Sequence, residues 1–212
     1  MAKTSLQVMG WLISMCSWGA TVGVFLSHKW KSTSVEGLPV LDSVTYMEGL
    51  WDSCEVYPTG QRKCITFSGP LSSQPNVVVT CRILLMIAIL LGVVCGFVTL
   101  LAFKCTDIGP EDRKSEARVA FWTGLGFLAC GFCVTIASAY YMHDIVRGTS
   151  LLNRTTNLPP YQIHEALKIA MAFGLLWLIG GLVQLCGSHH IEENDVKYEH
   201  DKYNRNMRQE YI

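Results

Sequence analysis

Charge is what long stretches of this 212-residue sequence lack. Residues 6–27, 83–103, 119–142 and 169–188 contain no Asp, Glu, Lys or Arg. Each run is about 20 residues or more, enough to cross the hydrocarbon core of a bilayer as a helix. A buried helix of a water-soluble protein rarely stays uncharged for so long, and here it happens four times. The absence of acids inside the runs also excludes a proton relay or an ion path through the bilayer. The sequence has no phosphate-binding glycine loop, no zinc-protease histidine pair and no Gly-x-Ser-x-Gly. It offers no nucleophile, no metal set and no cofactor motif, so no enzyme is expected. Seventeen basic and seventeen acidic residues balance to zero net charge, which leaves no footprint for nucleic acid.

The expected fold is therefore a membrane all-α four-helix bundle. Run 6–27 is too long for the apolar part of a signal peptide, and Ser27-His28-Lys29 is a poor cleavage site, so it is read as an uncleaved first helix. Residues 104–118 carry four Lys/Arg in fifteen positions, against four in residues 28–81. The positive-inside rule then puts 104–118 in the cytoplasm, with both termini. Residues 28–81 and 143–168 become outer segments. Residues 189–212 read as a disordered cytoplasmic tail.

The first outer segment is the most patterned. Val44, Thr45 and Tyr46 suit a strand, Ile65-Thr66-Phe67 suit another, and Val77-Val78-Val79-Thr80 suit either a strand or an extension of the second helix. A small extracellular antiparallel sheet is expected. Between Cys54 and Cys64 lies Pro58-Thr59-Gly60, with three residues on each side. Pro favours the first central position of a turn and Gly a following left-handed one, which makes a three-residue hairpin loop. That register sets Tyr57 against Gln61, Val56 against Arg62, Glu55 against Lys63 and Cys54 against Cys64. A disulfide is geometrically available in an oxidising compartment, and the topology supplies one. Glu55 and Lys63 would offset each other, leaving Arg62 on the disulfide face as the remaining charge.

Other residues admit two readings each. Trp30, just past the first run, fits a headgroup-level anchor better than a core position; Trp51 fits a core residue joining sheet to bundle. Arg82, at the edge of the second run, needs a partner: an acid such as Glu48 or Asp52, or backbone carbonyls. Gly10, Gly19 and Gly23, with Ser14 and Ser17, allow close helix contact. Cys130-Gly131-Phe132-Cys133 has no His or acid beside it and reads as packing. Cys105 and Cys186 sit at membrane edges where S-palmitoylation occurs, or stay unmodified. Asn153-Arg154-Thr155 is a glycosylation acceptor. His189-His190 reads as exposed tail. The final Tyr211-Ile212 suits strand addition in a PDZ groove.

Trp30, Gly49-Leu50-Trp51, Cys54, Cys64 and Arg82, on a four-span chain with both ends inside, resemble the claudins and the wider superfamily that includes peripheral-myelin-type proteins. Tyr46-Met47-Glu48, Lys104-Cys105, Glu165 and Tyr211-Ile212 are weaker matches. The resemblance covers nearly the whole chain. It implies a four-helix bundle under an extracellular sheet, and strands at tight junctions of the plasma membrane that control paracellular permeability. It implies partners of three kinds: the same or other claudins in cis and in trans, zonula-occludens-type PDZ scaffolds, and membrane lipids. An auxiliary channel or receptor subunit, or a myelin-type organiser, is the alternative within the same superfamily. The sequence departs from the pattern in ending Tyr-Ile rather than Tyr-Val, and in following its second cysteine with Ile65 and Thr66 rather than a charge. Leu151-Leu152 and Pro159-Pro160-Tyr161 stand where an aromatic turn is usual, and Lys168 stands where the family is apolar or small. A barrier, or a weakly anion-favouring path, is expected rather than a cation channel.

Overall fold

The computed structural model describes residues 2–35, 44–66, 76–104, 110–155 and 162–210. Four helices, α1 (Ala2–Phe25), α2 (Asn76–Lys104), α3 (Pro110–Thr155) and α4 (Glu165–Glu210), form a bundle. Leu6–Phe25, Asn76–Ala102, Ala117–Thr149 and Glu165–Ser188 are long and apolar enough to cross a membrane. Large apolar side chains such as Leu90, Phe97, Trp122, Phe132, Ile136 and Leu182 point away from the bundle. That is expected where the surrounding solvent is lipid, since burial between helices then has no special advantage for apolar groups.

The main interfaces join α1 to α4, α4 to α3 and α3 to α2, with lighter contact between α1 and α2. Small residues set the closest of these. A Cβ on Gly10 would lie 3.0 Å from both the Gly180 carbonyl oxygen and the Gln184 nitrogen, so α1 and α4 touch backbone to backbone there. Gly19 and Gly23 have open space around them, so of the three glycines in α1 only Gly10 serves close contact. Cys130, inside α3, is buried as a packing residue.

One end of the bundle carries a five-stranded antiparallel sheet in the order β4-β3-β2-β1-β5. The strands are β1 (Lys31–Val35), β2 (Val44–Glu48), β3 (Asp52–Val56), β4 (Arg62–Thr66) and β5 (Gln162–Ile163). Four come from the first outer segment. The fifth, unforeseen in the sequence, comes from just before α4 and pairs Ile163 with Lys31 and Gln162 with Ser32.

Three boundaries differ from expectation. α2 starts at Asn76 rather than near residue 83, and of the two alternatives for Val77-Val78-Val79-Thr80 the extension of the helix is the one seen. α3 runs on to Thr155 through what reads as outer loop, because polarity marks the exit from a membrane and not the end of a helix. No Pro lies between Pro110 and Pro159 to break it. The segment expected to be a disordered tail continues α4 as helix to Glu210. Beyond Gly187 it contains neither Gly nor Pro, and Glu193/Lys197 and Asp201/Arg205 stand at the i,i+4 spacing that supports a helix.

Candidate functional site

The hairpin has the register expected from its turn residues. Cys54 pairs with Cys64, Glu55 with Lys63 and Val56 with Arg62. The loop closes through Gly60 N–H to the Tyr57 carbonyl at 2.9 Å and Tyr57 N–H to the Gln61 carbonyl at 3.0 Å. Gly60 takes φ 82°, the left-handed conformation that side chains disfavour. Cys54 and Cys64 form a disulfide with S–S 2.05 Å. Closing so short a loop stabilises the hairpin by about 3 kcal/mol on the chain-entropy estimate. Cys54→Ser is therefore expected to leave the helices folded while opening β3–β4, seen as new protease cleavage confined to residues 54–64; an unchanged digest would count against this.

Next to the hairpin, Gly49-Leu50-Trp51 ties the sheet to two helices. A Cβ on Gly49 would lie 2.7 Å from the His28 Cα and 2.8 Å from the Ser27 carbonyl oxygen, both backbone atoms, so only glycine allows the approach. Gly49 N–H donates to the Asp52 carbonyl at 2.9 Å, closing the β2–β3 turn. Leu50 is fully buried beneath it. Its carbonyl accepts from Arg82 of α2, through Nε at 2.7 Å and also through Nη2. The guanidinium lies 4.7 Å from the Trp51 ring centroid. Of the two alternatives for Arg82, carbonyl capture is thus the one seen, while Glu48 binds Lys31 at 2.7 Å and Asp52 binds His28 at 2.6 Å.

The end of α1 explains both tryptophans. A helix leaves its last carbonyls without partners in the chain. Trp30 Nε1 donates to the Val24 carbonyl at 3.0 Å, and Trp51 Nε1 to the Phe25 carbonyl at 3.0 Å. Trp30 is fully buried and meets Tyr141 of α3 edge to face at 5.1 Å. The expectation of a headgroup anchor is therefore wrong: β1 folds back over the helix end and takes the indole into the core. Trp51 meets Phe25 edge to face at 5.2 Å, as a residue joining sheet to bundle should.

The charges of the hairpin divide differently from the simple cross-strand picture. Glu55 and Lys63 are register partners. The Glu55 carboxylate, however, accepts the Tyr57 hydroxyl at 3.1 Å, from two positions on, just past the end of β3. That hydrogen bond, and then the carboxylate's charge, push the Tyr57 phenol above its ordinary range. All of β4 is exposed, and among the described residues Arg62 and Lys63 take part neither in the Lys31–Glu48 ion pair nor in the His28–Asp52 contact. Sequence reasoning set Lys63 against Glu55 and left Arg62; here the Glu55 carboxylate keeps its charge but bonds Tyr57, and among the described residues both cations of β4 stand outside any ion pair.

The remaining candidates lie apart from this site. Cys186 is an exposed free thiol on α4. Asn153 falls near the end of α3. Cys105, Tyr211 and Ile212 lie outside the described residues. Among the described residues no group of His, Cys, Asp and Glu could hold a metal. The residues missed from sequence are His28 and Tyr57, both polar partners of strand acids; the spacing of Tyr57 two positions after Glu55 was the available signal.

The family model described as "PMP-22/EMP/MP20/Claudin family" matches residues 4–185. Mouse claudin-7 is 28% identical over 187 residues, covering 88% of this chain and 87% of the relative. Mouse claudin-19 is 28% identical over 188 residues, covering 89% and 80%. Mouse claudin-1 is 29% identical over 187 residues, covering 88% and 87%. The family is one of structural membrane proteins and not of enzymes. Four apolar helices, a disulfide-closed sheet above them and a match from the start of α1 into α4 lead to one assignment: the chain belongs to the PMP-22/EMP/MP20/Claudin family.

Proposed function

We propose that this protein is a plasma-membrane component of tight junctions, with the sheet outside the cell and both termini inside. It assembles with itself and other claudins, within one membrane and across the cell contact, and it controls paracellular permeability. The relatives' family supports the junctional reading, and the basic density of residues 104–118 supports the orientation. PDZ scaffolds of the zonula-occludens type are the partners for Tyr211-Ile212. Cys105 and Cys186 are the candidate lipid-modified thiols and Asn153 the candidate glycan site.

The observation that carries the permeability reading is the exposed β4 strand, with Arg62 and Lys63 both outside the sheet's ion pairs and Glu55 held by Tyr57. An ion entering a narrow gap loses hydration, and only fixed charge of the opposite sign offsets that loss. A positive rim disfavours cations and mildly favours anions. The assembly is then a barrier to cations with a weak preference for chloride.

The test is expression in an epithelial monolayer stripped of its own claudins, with resistance and the NaCl dilution potential recorded. Resistance should rise and chloride should be favoured slightly. Arg62→Gln together with Lys63→Gln should return the dilution potential toward zero while resistance stays high. A strong cation preference would refute the charge assignment. Absence of strands at cell contacts, with co-purification of a single channel, would instead favour an auxiliary subunit that grips its partner with the same sheet.

A further inference from the structure

At the end of the bundle away from the sheet, all four helices meet around two glutamines. Gln184 of α4 is 0% exposed and Gln7 of α1 is 1% exposed. The helices run antiparallel here. A Cβ on Gly187 would lie 3.0 Å from Gln7 Cγ, and one on Gly10 would lie 3.0 Å from Gln184 N. Each glutamine thus stands against the glycine three positions from the other, so the two are about one helical turn apart.

Gln184 Nε2 donates to Thr123 Oγ1 of α3 at 2.9 Å and to Thr99 Oγ1 of α2 at 3.4 Å. Both hydroxyls spend their own protons on helix carbonyls: Thr99 on Cys95 at 2.8 Å and Thr123 on Val119 at 3.0 Å. They can only accept from the amide. This fixes the amide's orientation, with its NH2 toward the threonines and Oε1 on the other side. That Oε1, and Gln7 Nε2, are both buried without a protein partner. One is an acceptor and the other a donor. Leaving such groups unpaired in an apolar bundle is costly, and a buried water with two or more polar partners is the usual remedy.

We propose that Gln7 Nε2 and Gln184 Oε1 form a binding site for a single water molecule, which joins α1 to the hydrogen-bonded α2–α3–α4 cluster. Gln7 donates to the water oxygen and the water donates to Gln184 Oε1. The Trp177 indole N–H, also buried and without a partner, is the control. It lies seven positions nearer the sheet on α4, about 10 Å away at helical rise.

The experiment uses the full chain in lipid nanodiscs, with glutamine and tryptophan side chains labelled with nitrogen-15, and measures magnetisation transfer from water. Transfer should reach the Gln7 NH2, should not reach the Trp177 N–H, and should be lost from Gln7 in Gln184→Met. Methionine keeps the length of the side chain without its polar atoms. In thermal unfolding, Gln7→Met and Gln184→Met should each lower Tm by roughly 2–6 °C, and the double variant should lose no more than the worse single. Coupled Tm losses without water transfer would mean a direct amide–amide bond and would overturn the site. Transfer that survives Gln184→Met would overturn the bridge. Transfer that also reaches Trp177 would mean general hydration of the bundle. Additive Tm losses with no transfer would remove both water and coupling.

Discussion

Trp30→Ala is expected to lower stability by about 3–5 kcal/mol, the usual range for deleting a large buried aromatic. The residue is fully enclosed, so the loss includes a cavity that the rigid helix ends cannot close. It also strips the Val24 carbonyl of its donor and Tyr141 of its edge-to-face partner. For a chain of this size the change corresponds to a fall in Tm of roughly 6–20 °C, read by thermal unfolding in detergent. Trp30→Phe separates the two contributions. It keeps a ring against Tyr141 but no N–H for Val24, so it should lose only about 1–3 kcal/mol, the cost of one buried acceptor left unpaired. Equal large losses would mean that the N–H bond to Val24 carries the whole effect, and negligible losses from both variants would place Trp30 at the lipid headgroups after all.

The second large effect is at Arg82. The residue is 2% exposed, and its guanidinium holds the Leu50 carbonyl through two nitrogens. Hydrogen bonds from a charged donor contribute about 1.5–3 kcal/mol. The cation over the Trp51 ring contributes up to about 2 kcal/mol where desolvated. Arg82→Leu is thus expected to cost about 3–5 kcal/mol. The damage should appear first where the sheet meets α2, as protease sensitivity around residues 49–51 before the bundle itself unfolds. Arg82→Lys keeps a cation near the ring but loses the planar fork, so its effect should fall between wild type and Arg82→Leu. If lysine restores full protection, the second nitrogen is dispensable.

These two residues also show where sequence reasoning succeeds and where it stops. The four spans are legible because an uncharged run of that length has few other uses, and the hairpin register is legible because Pro58, Gly60 and the two cysteines each fix a local geometry. Trp30 was misread because its environment is not local: the Val24 carbonyl needs a donor only once β1 folds back over α1, and nothing near position 30 announces that. Arg82 needed a partner by its depth alone, but whether acid or carbonyl depends on where the β2–β3 turn lands. The Glu55–Lys63 register was right, and yet the carboxylate turned to Tyr57, because a neighbour two positions on, at the start of the loop, competes with one across the ladder. The helical run of α3 past residue 142 was missed because hydropathy reports the solvent of a helix and not its length. β5 carries no pattern at all, since two residues cannot show a period.

That short strand has a consequence for how the molecule is made. β1 meets β2 as soon as the first outer segment emerges, but among the described residues its other edge is met by Gln162 and Ile163. Those residues come after α3 in the chain, so α3 must already be in place before they can reach β1. A chain that ends after α2, or threads α3 the wrong way, keeps an open strand edge beside its core tryptophan. Completion of the sheet therefore records correct insertion of the second half of the protein, and the exposed edge of β1 marks every chain in which that insertion has failed.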